Sequence, residues 1–357
     1  MSDRLSKKII LTGGGTAGHV TPNMALIPSL KEAGWSIEYI GSHDGIEQDL
    51  IGEIGIPYHG ITSGKLRRYL DLQNFSDPFK VLKGLVEVYF LLGKLKPDIV
   101  FSKGGFVTVP VILASWLRRI PVVIHESDFT PGLANKISIP FATRICVSFP
   151  ETVANIPNAI YTGLPIRADM LQGKAAAGRE LCRFGTELPT LMVIGGSTGS
   201  AKINQAIRSI LDQLTSQFQV VQICGKGNLD RTLEQTKNYK QFEYLGAELA
   251  DIFSIADLVV SRSGANSIFE LLALRKPHLL IPLSKAASRG DQILNAQSFQ
   301  KAGYSAVLPE EELTVDRLHD QILDLWQHRQ QYIARMTDSS REDSIAKIVN
   351  IIGQIVS

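Results

Sequence analysis

The sequence predicts an α/β protein made of two doubly wound, Rossmann-like domains, and three observations support this prediction. Short apolar runs alternate with helical patterns along all 357 residues. An apolar strand followed by a glycine loop and a helical segment occurs twice, at 8–20 and at 191–204. The length exceeds that of one ordinary domain and suits two of roughly 160–180 residues. The repeated pattern predicts two similar domains that face one another across a cleft.

The predicted strands are short, and several are rich in Val and Ile on both faces, which is typical of buried parallel strands. In the first half they are 9–11, 37–40, 58–61, 99–101, 122–125, 145–147 and 160–162. In the second half they are 191–194, 220–223, 243–245, 258–261 and 279–281. Helices fill the intervals, so each half is expected to be a doubly wound sheet.

The domain boundary is predicted at 163–167, where Thr-Gly-Leu-Pro-Ile-Arg interrupts the alternation of strands and helices. We expect an N-terminal domain at 1–165 and a C-terminal domain at 166–340. In the last stretch, isoleucines recur at helical spacing at positions 345, 348, 351, 352 and 355. Residues 341–357 are therefore expected to form a helix that joins the N-terminal domain.

Composition excludes several classes of protein. The chain is 44% hydrophobic and 20% charged with a net charge of +2, which is ordinary globular material without a nucleic-acid signature. Its three cysteines form no CxxC pair, so neither a disulfide framework nor a zinc site is expected. No run of 18 apolar residues exists, and no signal-peptide h-region precedes the first strand.

The charge is not evenly distributed. Residues 61–120 contain ten Lys or Arg against four Asp or Glu. Within this segment, apolar side chains lie among the basic ones from 65 to 92, and Trp116 follows. Apolar side chains beside Lys and Arg are what an interfacial membrane contact requires, although a core helix with solvated charges is an equal alternative.

The first glycine loop has two interpretations. Gly13, Gly15 and Gly18 match the dinucleotide fingerprint G-x-G-x-x-G, and Glu38 follows 20 residues after Gly18. A nicotinamide-dependent oxidoreductase is therefore an alternative. His19 argues against it, because a histidine directly after the last glycine would crowd a bound pyrophosphate. His19 is either a capping or packing residue or a cleft-facing group that takes a proton near neutral pH.

The second half carries further strand–turn–helix corners. Its glycine loop comprises Gly195, Gly196, Ser197, Thr198, Gly199 and Ser200, whose N–H groups and Ser197 hydroxyl suit a diphosphate unless the loop is only a turn. At the corner 261–270, the Glu270 carboxylate is either a ribose ligand or a solvated residue near a helix N-terminus. Asp291 and Gln292 offer groups suited to sugar hydroxyls, and on their own they would be surface residues.

Polar residues also follow two predicted strands of the first half. His125, Glu126, Ser127 and Asp128 end one, and Ser102, Lys103, Gly104 and Gly105 end the strand before it. Because polar residues at the carboxyl edge of a parallel sheet usually face a crevice, both groups are candidate site residues. The two glycines allow close approach of an anionic acceptor, whose charge Lys103 would offset.

Taken in order, these motifs resemble the MurG family of N-acetylglucosamine transferases. They are GGGTAGHV at 13–20, SKGGF at 102–106, HE at 125–126, PGLANK at 131–136, GGS at 195–197 and RSG at 262–264. The resemblance implies the GT-B arrangement, with a lipid-linked acceptor on the N-terminal domain and UDP-GlcNAc on the C-terminal domain. It implies an inverting enzyme without metal or cofactor, which moves GlcNAc from UDP-GlcNAc to the C4 hydroxyl of MurNAc in lipid I and makes lipid II for peptidoglycan.

The resemblance also implies a peripheral location on the cytoplasmic face of the cell membrane. The implied partners are UDP-GlcNAc, lipid I, an anionic membrane surface and other cell-wall synthesis proteins, with no nucleic acid. Either His19 or Glu126 would remove the proton from the acceptor. Implied acceptor contacts are Gly14, Gly15, Lys103, Gly104 and Gly105. Implied UDP-GlcNAc contacts are Thr16, Ala17, Gly18, Asp128, Arg167, Ser197, Leu245, Ala265, Asn266, Ser267, Ile268, Phe269, Glu270 and Gln292.

Three positions depart from the common family pattern. Ser127 and Asp128 stand where members often carry Gln-Asn, and Leu164 stands where they often carry Asn. In the family the Asn of this Gln-Asn pair contacts the donor, so here the resemblance implies that Asp128 makes that contact. One alternative is a UDP-sugar enzyme of the same fold with another acceptor, such as a diacylglycerol glycosyltransferase or a UDP-GlcNAc epimerase. Another is a non-catalytic membrane scaffold.

Overall fold

The computed structural model describes residues 7–64, 77–196, 198–339 and 343–356. These residues form two compact units. The first unit runs to Arg167 and includes the C-terminal helix, and the second begins at Ala168. Each unit contains one parallel sheet, as the sequence predicts for each half.

Every strand pair among the described residues is parallel. The strands of the first unit are β1 Lys8–Thr12, β2 Ser36–Ser42, β3 Tyr58–Ile61, β4 Ile99–Ser102, β5 Val122–Glu126, β6 Arg144–Val147 and β7 Ala159–Tyr161. Those of the second unit are β8 Thr190–Ile194, β9 Gln219–Ile223, β10 Tyr239–Phe242, β11 Leu258–Ser261, β12 His278–Leu280 and β13 Ser305–Val307.

The α-helices follow the strands on both units. They are α1 Thr21–Glu32, α2 Ile46–Glu53, α3 Asp77–Leu95, α4 Thr108–Leu117, α5 Leu133–Ser138, α6 Ala175–Cys182, α7 Ala201–Ser209, α8 Leu211–Thr215, α9 Leu249–Ile255, α10 Ala265–Leu274, α11 Asp291–Lys301, α12 Val315–Asp338 and α13 Ser344–Val356. Among the described residues, none of these helices combines the length and the apolar character needed to cross a lipid bilayer.

The two sheets share one topology. Their strand orders are β3-β2-β1-β4-β5-β6-β7 and β10-β9-β8-β11-β12-β13. In each sheet the first strand in the chain, β1 or β8, lies inside the sheet. The next two strands are added on one side of it, and the chain then crosses to add the remaining strands on the other side. The loops after β1 and β4, and those after β8 and β11, therefore flank the point where the strand order reverses. Ligands of doubly wound sheets bind at this point.

The sheet of the first unit is covered on both faces, as its Ile- and Val-rich strands require. Ile9 faces a core that includes Ile348 and Ile352 of α13, and all three side chains are fully buried. Ile10 points to the opposite face, where Val88 of α3 lies in the core. The isoleucine spacing of the last stretch thus gives α13 an apolar stripe that packs in the first unit.

The second unit buries a large apolar core that includes Leu191 and Val193 of β8 and Leu318 of α12. One predicted strand needs correction here, and one observed strand was not predicted. The predicted strand 243–245 is wrong, because the strand is β10, which ends at Phe242 and pairs with β9 at the edge of the sheet. Tyr244 lies in the following loop and is 68% exposed. The short strand β13, at the other edge, escaped prediction.

Candidate active site

The loop after β1 packs directly on the loop after β4. We call residues 13–19 the first corner. The Gly14 N–H donates to the Gly104 carbonyl at 3.3 Å. Gly105 has φ +93° and lies so close that a Cβ there would be 2.2 Å from the Gly14 carbonyl oxygen. Only glycine fits this approach, which brings the predicted acceptor residues Gly14, Gly15, Gly104 and Gly105 together.

His19 ends a single 3₁₀ turn, Ala17–His19, on the exposed side of the first corner. Its Nδ1 lies 3.0 Å from the Gly14 carbonyl oxygen and 3.3 Å from the Thr16 hydroxyl. Because a carbonyl oxygen only accepts hydrogen bonds, Nδ1 must be the donor. In the neutral ring the lone pair then resides on Nε2, which makes that nitrogen available to accept a proton.

Glu47, on α2, holds the first corner from inside the unit, and its side chain is fully buried. Its Oε2 accepts the Gly15 N–H at 3.2 Å. Its Oε1 accepts the N–H and the hydroxyl of Ser42, at 3.0 and 2.5 Å. Sequence reasoning missed Glu47, because nothing in its spacing connects it to a loop more than 30 residues earlier.

Lys103, which directly follows β4, is buried beneath the first corner rather than exposed to solvent. Its Nζ donates to the Ser127 hydroxyl. Burial lowers the pKa of Lys103 to about 8, and the nearby carboxylates of Glu126 and Asp128 oppose this shift. The Lys103 amine is thus buried beside two carboxylates. The sequence predicted Lys103 in a crevice but did not predict this burial.

Glu126 ends β5 and is 4% exposed. One oxygen accepts the Asp128 N–H at 2.9 Å, and the other accepts Gly132 N–H at 3.1 Å and Asn135 Nδ2 at 2.8 Å. Its carboxylate therefore ties down the loop between β5 and α5. The neighbouring His125 is fully buried against the Gly163 carbonyl, and burial, together with the charge of Lys103, holds its pKa well below the usual value.

A second glycine loop, at the same place in the second sheet, joins β8 to α7. We call residues 195–200 the second corner, of which Ser197 lies outside the described residues. Ser200 caps α7 by accepting the Ile203 N–H. Gly199 has φ +77°, and a Cβ there would lie 2.0 Å from the Cys224 carbonyl oxygen. The backbone at Gly199 therefore packs directly on the backbone at Cys224, and this contact holds the second corner in place.

Arg262, which follows β11, reaches the second corner from inside the unit. Its guanidinium donates to the Ser200 hydroxyl at 2.8 Å and to the Ile281 carbonyl at 3.1 Å. It also pairs with the buried Glu310 carboxylate. Burial alone would raise the pKa of Glu310, but the hydrogen bond and charge of Arg262 hold it below the usual value. The sequence showed Arg262 only as part of a motif and gave no sign of Glu310.

The predicted run 265–270 forms the start of α10, whose N-cap residue is Gly264. Ile268 is fully buried, and Phe269 packs edge-on against Phe299 with centroids 5.2 Å apart. Asn266, Ser267 and Glu270 are the members with partly exposed side chains. The buried members can reach a ligand only through their backbone, whereas Glu270 presents a carboxylate.

The remaining predicted donor residues lie in several places. Gln292 begins α11 beside the loop after β11, and its Oε1 accepts the Leu283 N–H at 3.1 Å. Leu245 is buried in the loop after β10. Asp128 is half-buried behind β5, and Arg167 is the half-buried last residue of the first unit.

Comparison with known families gives two matches along the chain. The Glycosyltransferase family 28 N-terminal domain matches residues 9–147, and the Glycosyltransferase family 28 C-terminal domain matches residues 190–350. These two matched ranges lie in the first and second units respectively, except that the second also reaches into α13.

Curated relatives match over almost their whole length. A protein of Lachnospira eligens is 59% identical over 97% of this chain and 98% of its own. One of Geobacillus thermodenitrificans is 58% identical over 98% of this chain and 99% of its own. Both are named UDP-N-acetylglucosamine–N-acetylmuramyl-(pentapeptide) pyrophosphoryl-undecaprenol N-acetylglucosamine transferase. The family resemblance predicted from the motifs is confirmed.

Solved structures support the fold. MurG of Acinetobacter baumannii superposes with a TM-score of 0.75 at 23% identity, covering 98% of this chain and 99% of that one. The glycosyltransferase of kitacinnamycin superposes with a TM-score of 0.77 at 18% identity, covering 99% of this chain and 100% of that one. The predicted GT-B fold class is confirmed. The chain is a glycosyltransferase and belongs to glycosyltransferase family 28.

Proposed function

We propose that this chain transfers N-acetylglucosamine from UDP-GlcNAc to the C4 hydroxyl of N-acetylmuramic acid in undecaprenyl-pyrophosphoryl-MurNAc-pentapeptide (lipid I), which yields lipid II for peptidoglycan. The names of relatives that are 55% to 59% identical over nearly the whole chain support this reaction. The structural observation behind the mechanism is the contact between His19 Nδ1 and the Gly14 carbonyl, which leaves Nε2 as the acceptor of a proton.

The C-terminal domain, 166–340, would hold the donor. The N-termini of α7 and α10 direct N–H groups toward the end of the sheet, where they favour a diphosphate. Arg167 and Ser197 would add to this diphosphate site. Glu270 would accept hydrogen bonds from the ribose hydroxyls, Gln292 would bind the GlcNAc hydroxyls, and the Leu245 backbone would contact uracil.

The N-terminal domain, 1–165 with the helix 341–357, would hold the acceptor at the first corner. Gly14, Gly15, Gly104 and Gly105 leave bare backbone to which a pyrophosphoryl group can come close. Thr16, Ala17 and Gly18 would lie next to the transferred sugar. Lys103, which is buried, would act on the acceptor through its charge and through Ser127 rather than by direct contact.

We assign the proton transfer to His19 rather than to Glu126. Both oxygens of Glu126 already accept hydrogen bonds from the loop that it holds. A proton taken up by Glu126 would weaken these hydrogen bonds, because it removes the negative charge that they share. His19 is half-buried, and the contact of its Nδ1 with the Gly14 carbonyl assigns the lone pair of the neutral ring to Nε2.

The proposed reaction is a single in-line displacement. The C4 oxygen of MurNAc forms a bond to the anomeric carbon, while the bond from that carbon to the UDP oxygen breaks. The electron pair of the broken bond stays on the β-phosphate, and the C4 hydroxyl proton passes to His19 Nε2. Attack from the face opposite UDP inverts the anomeric carbon. Backbone N–H groups and helix dipoles would stabilise the charge on the departing diphosphate.

The acceptor carries a polyprenyl chain, so the enzyme must work at a membrane surface. Helices α3 and α4 carry exposed apolar side chains: Phe79 is 74% exposed, Phe90 69% and Trp116 53%. Lys80 and Lys83 lie on α3, and Arg118 directly follows α4. Apolar groups flanked by cations suit an anionic bilayer surface, so we place the peripheral membrane contact here, on the cytoplasmic face. Residues 65–76 of the predicted basic segment lie outside the described residues.

Transfer of labelled GlcNAc from UDP-GlcNAc to a short-chain lipid I analogue, with EDTA present, tests the reaction. Labelled lipid II analogue is the expected product. Tight UDP binding without that product would overturn the proposed acceptor, and parallel reactions with diacylglycerol and with UDP-GlcNAc alone would identify the alternative.

Sedimentation with vesicles tests the membrane contact. The wild-type chain should bind vesicles that contain phosphatidylglycerol, less so at high salt, and Phe90→Glu should lose most of this binding. Val315→Glu is a matched control, because Val315 is an exposed apolar residue of the second unit. Equal binding by Phe90→Glu and wild type would refute this surface.

A further inference from the structure

A buried carboxylate and a histidine hold the two ends of one peptide group in the first corner. The Gly15 N–H donates to Glu47 Oε2 at 3.2 Å, and His19 Nδ1 donates to the Gly14 carbonyl at 3.0 Å. That carbonyl and that N–H belong to the same planar, conjugated unit. We propose that Glu47 is a positioning residue that orients and polarises His19 through the peptide group between Gly14 and Gly15. This inference rests on the proposed function, in which His19 is the base.

The surroundings of Glu47 are built around its carboxylate. The side chain is fully buried, and its three hydrogen bonds come from two N–H groups and one hydroxyl, so both oxygens act as acceptors. A Cβ would lie 2.4 Å from Oε1 at Gly14 and 2.2 Å from it at Gly45. Glycine at both positions allows the backbone to pack directly on the carboxylate.

The effect on His19 follows from hydrogen-bond cooperativity. The Glu47 carboxylate, which accepts the Gly15 N–H, polarises the peptide group between Gly14 and Gly15. This polarisation makes the Gly14 carbonyl oxygen a stronger hydrogen-bond acceptor. The stronger bond to Nδ1–H fixes the tautomer with Nε2 unprotonated. When Nε2 takes the proton, the negative charge of Glu47 stabilises the imidazolium. A carboxylate that binds a histidine directly does the same work in a Ser-His-Asp triad, and here a peptide group stands between the two.

Steady-state kinetics of Glu47→Gln test this role. The variant keeps the size of the side chain and loses its charge. We expect kcat to fall about tenfold, in the range seen when a partner that orients a functional histidine is removed. KM for UDP-GlcNAc should not change. The acid limb of the kcat–pH profile should move to lower pH, because an imidazolium without a negative charge behind it releases its proton more readily.

Glu38→Gln is the matched control. Glu38 lies in the same unit and changes the net charge equally, and it loses contacts with Lys8 Nζ at 2.8 Å and His59 Nε2 at 2.6 Å. It sits near the amino end of β2, away from the first corner. Wild-type kcat and an unmoved acid limb are expected for this control. An equal fall in both variants would refute a specific role for Glu47.

A double-mutant cycle separates the inference from the proposed function. In a His19→Ala background, Glu47→Gln should lower kcat no further, because Glu47 acts only through the imidazole. If both backgrounds lose the same factor, Glu47 is a structural residue and the relay is wrong, while the function of His19 stands. If His19→Ala alone keeps wild-type turnover, the proposed base is wrong.

A measurement on the unaltered chain keeps the inference testable if Glu47→Gln does not fold. Nitrogen-15 NMR of labelled histidines, with His19→Ala to assign the signal, reports which ring nitrogen bears the proton. The neutral His19 ring should be protonated at Nδ1, the less common form in water. A ring protonated at Nε2 would overturn the inference.

Discussion

The two glycine corners are alike in sequence and topology, but side chains of opposite charge hold them. Each follows the central strand of a parallel sheet. The first corner is bound from inside by the Glu47 carboxylate through the Gly15 N–H. The second is bound by the Arg262 guanidinium through the Ser200 hydroxyl. A glycine pattern alone therefore does not say which chemistry a corner supports.

The charge behind each corner suits a different task. The buried Glu47 carboxylate takes up one backbone N–H of the first corner, and its charge supports a histidine that must become positive. The Arg262 guanidinium binds the Ser200 hydroxyl and takes up no backbone N–H of the second corner, where the N-terminus of α7 favours a diphosphate. We therefore propose that the first corner takes part in proton transfer and that the second corner binds the diphosphate of the donor.

The largest expected effect is that of His19→Ala, since it removes the proton acceptor of the first corner. We expect kcat to fall by roughly 10² to 10⁴, the usual contribution of a general base. KM for UDP-GlcNAc and the affinity for UDP, measured by calorimetry, should remain close to wild type. If His19→Ala lowers the affinity for UDP as strongly as it lowers kcat, then the first corner also binds the donor, and the proposed separate roles of the two corners are wrong.

Removing the guanidinium of the second corner should act on stability and donor binding. Arg262→Met leaves the buried Glu310 carboxylate without its main partner, and breaking a buried ion pair costs about 3–5 kcal/mol. Calorimetry should show a loss of this size, and UDP affinity should fall with it. Adding Glu310→Gln should recover part of the stability, because the double variant leaves no uncompensated charge. A double variant less stable than the single one would contradict this account.

Glycine substitutions test how tightly each corner is packed. Gly199→Ala and Gly105→Ala would place a Cβ 2.0 and 2.2 Å from a backbone carbonyl oxygen. Gly196 and Gly15 also have positive φ, but a Cβ at either meets nothing within 4 Å. The open pair should lose about 1–2 kcal/mol of unfolding free energy from backbone strain alone. The packed pair should lose at least about 3 kcal/mol, and chemical denaturation of all four variants measures the difference.

Much of the fold was predictable because it rests on local patterns. The β1 run of Ile and Leu, buried on both faces, and the isoleucine stripe of α13 each identify their element. Edge strands carry weaker signals, since one face is solvated. The strand at 243–245 was predicted from the apolar pair Tyr244 and Leu245, which lies in a loop. The actual strand β10, Tyr-Lys-Gln-Phe, has only two apolar residues and gives a weak signal.

The site was predictable only where glycine and strand ends mark it. Glu47 and Glu310 join the corners through contacts that span more than 30 residues of sequence, and no spacing rule reveals such pairs. Helical spacing does bear on one point. Ala265, Ile268 and Phe269 fall at i, i+3 and i+4, a spacing that predicts the buried stripe of α10.

The smallest expected effect concerns a buried histidine of the second unit, at the opposite end of the sheet from the second corner. His278 opens β12, where Nδ1 contacts the Lys276 carbonyl and Nε2 lies 2.8 Å from the Ser305 hydroxyl. Burial lowers its pKa from 6.5 to about 4. Between these values the unfolded chain binds a proton that the folded chain does not, so stability falls as pH drops below 6.5 and levels off below about 4.

Replacing His278 should therefore make the free energy of unfolding depend less on pH below neutrality, and it should leave catalysis unchanged. His278→Gln is expected to be less stable than wild type at neutral pH. Its disadvantage should shrink by about 2 kcal/mol between about pH 7.5 and pH 5, because the variant has no proton to exclude. Urea unfolding at both pH values measures this change, and KM for UDP-GlcNAc at neutral pH should match wild type. A disadvantage that stays constant with pH would mean that His278 remains uncharged for another reason, and a raised KM would mean that the second corner is coupled to the far end of its sheet.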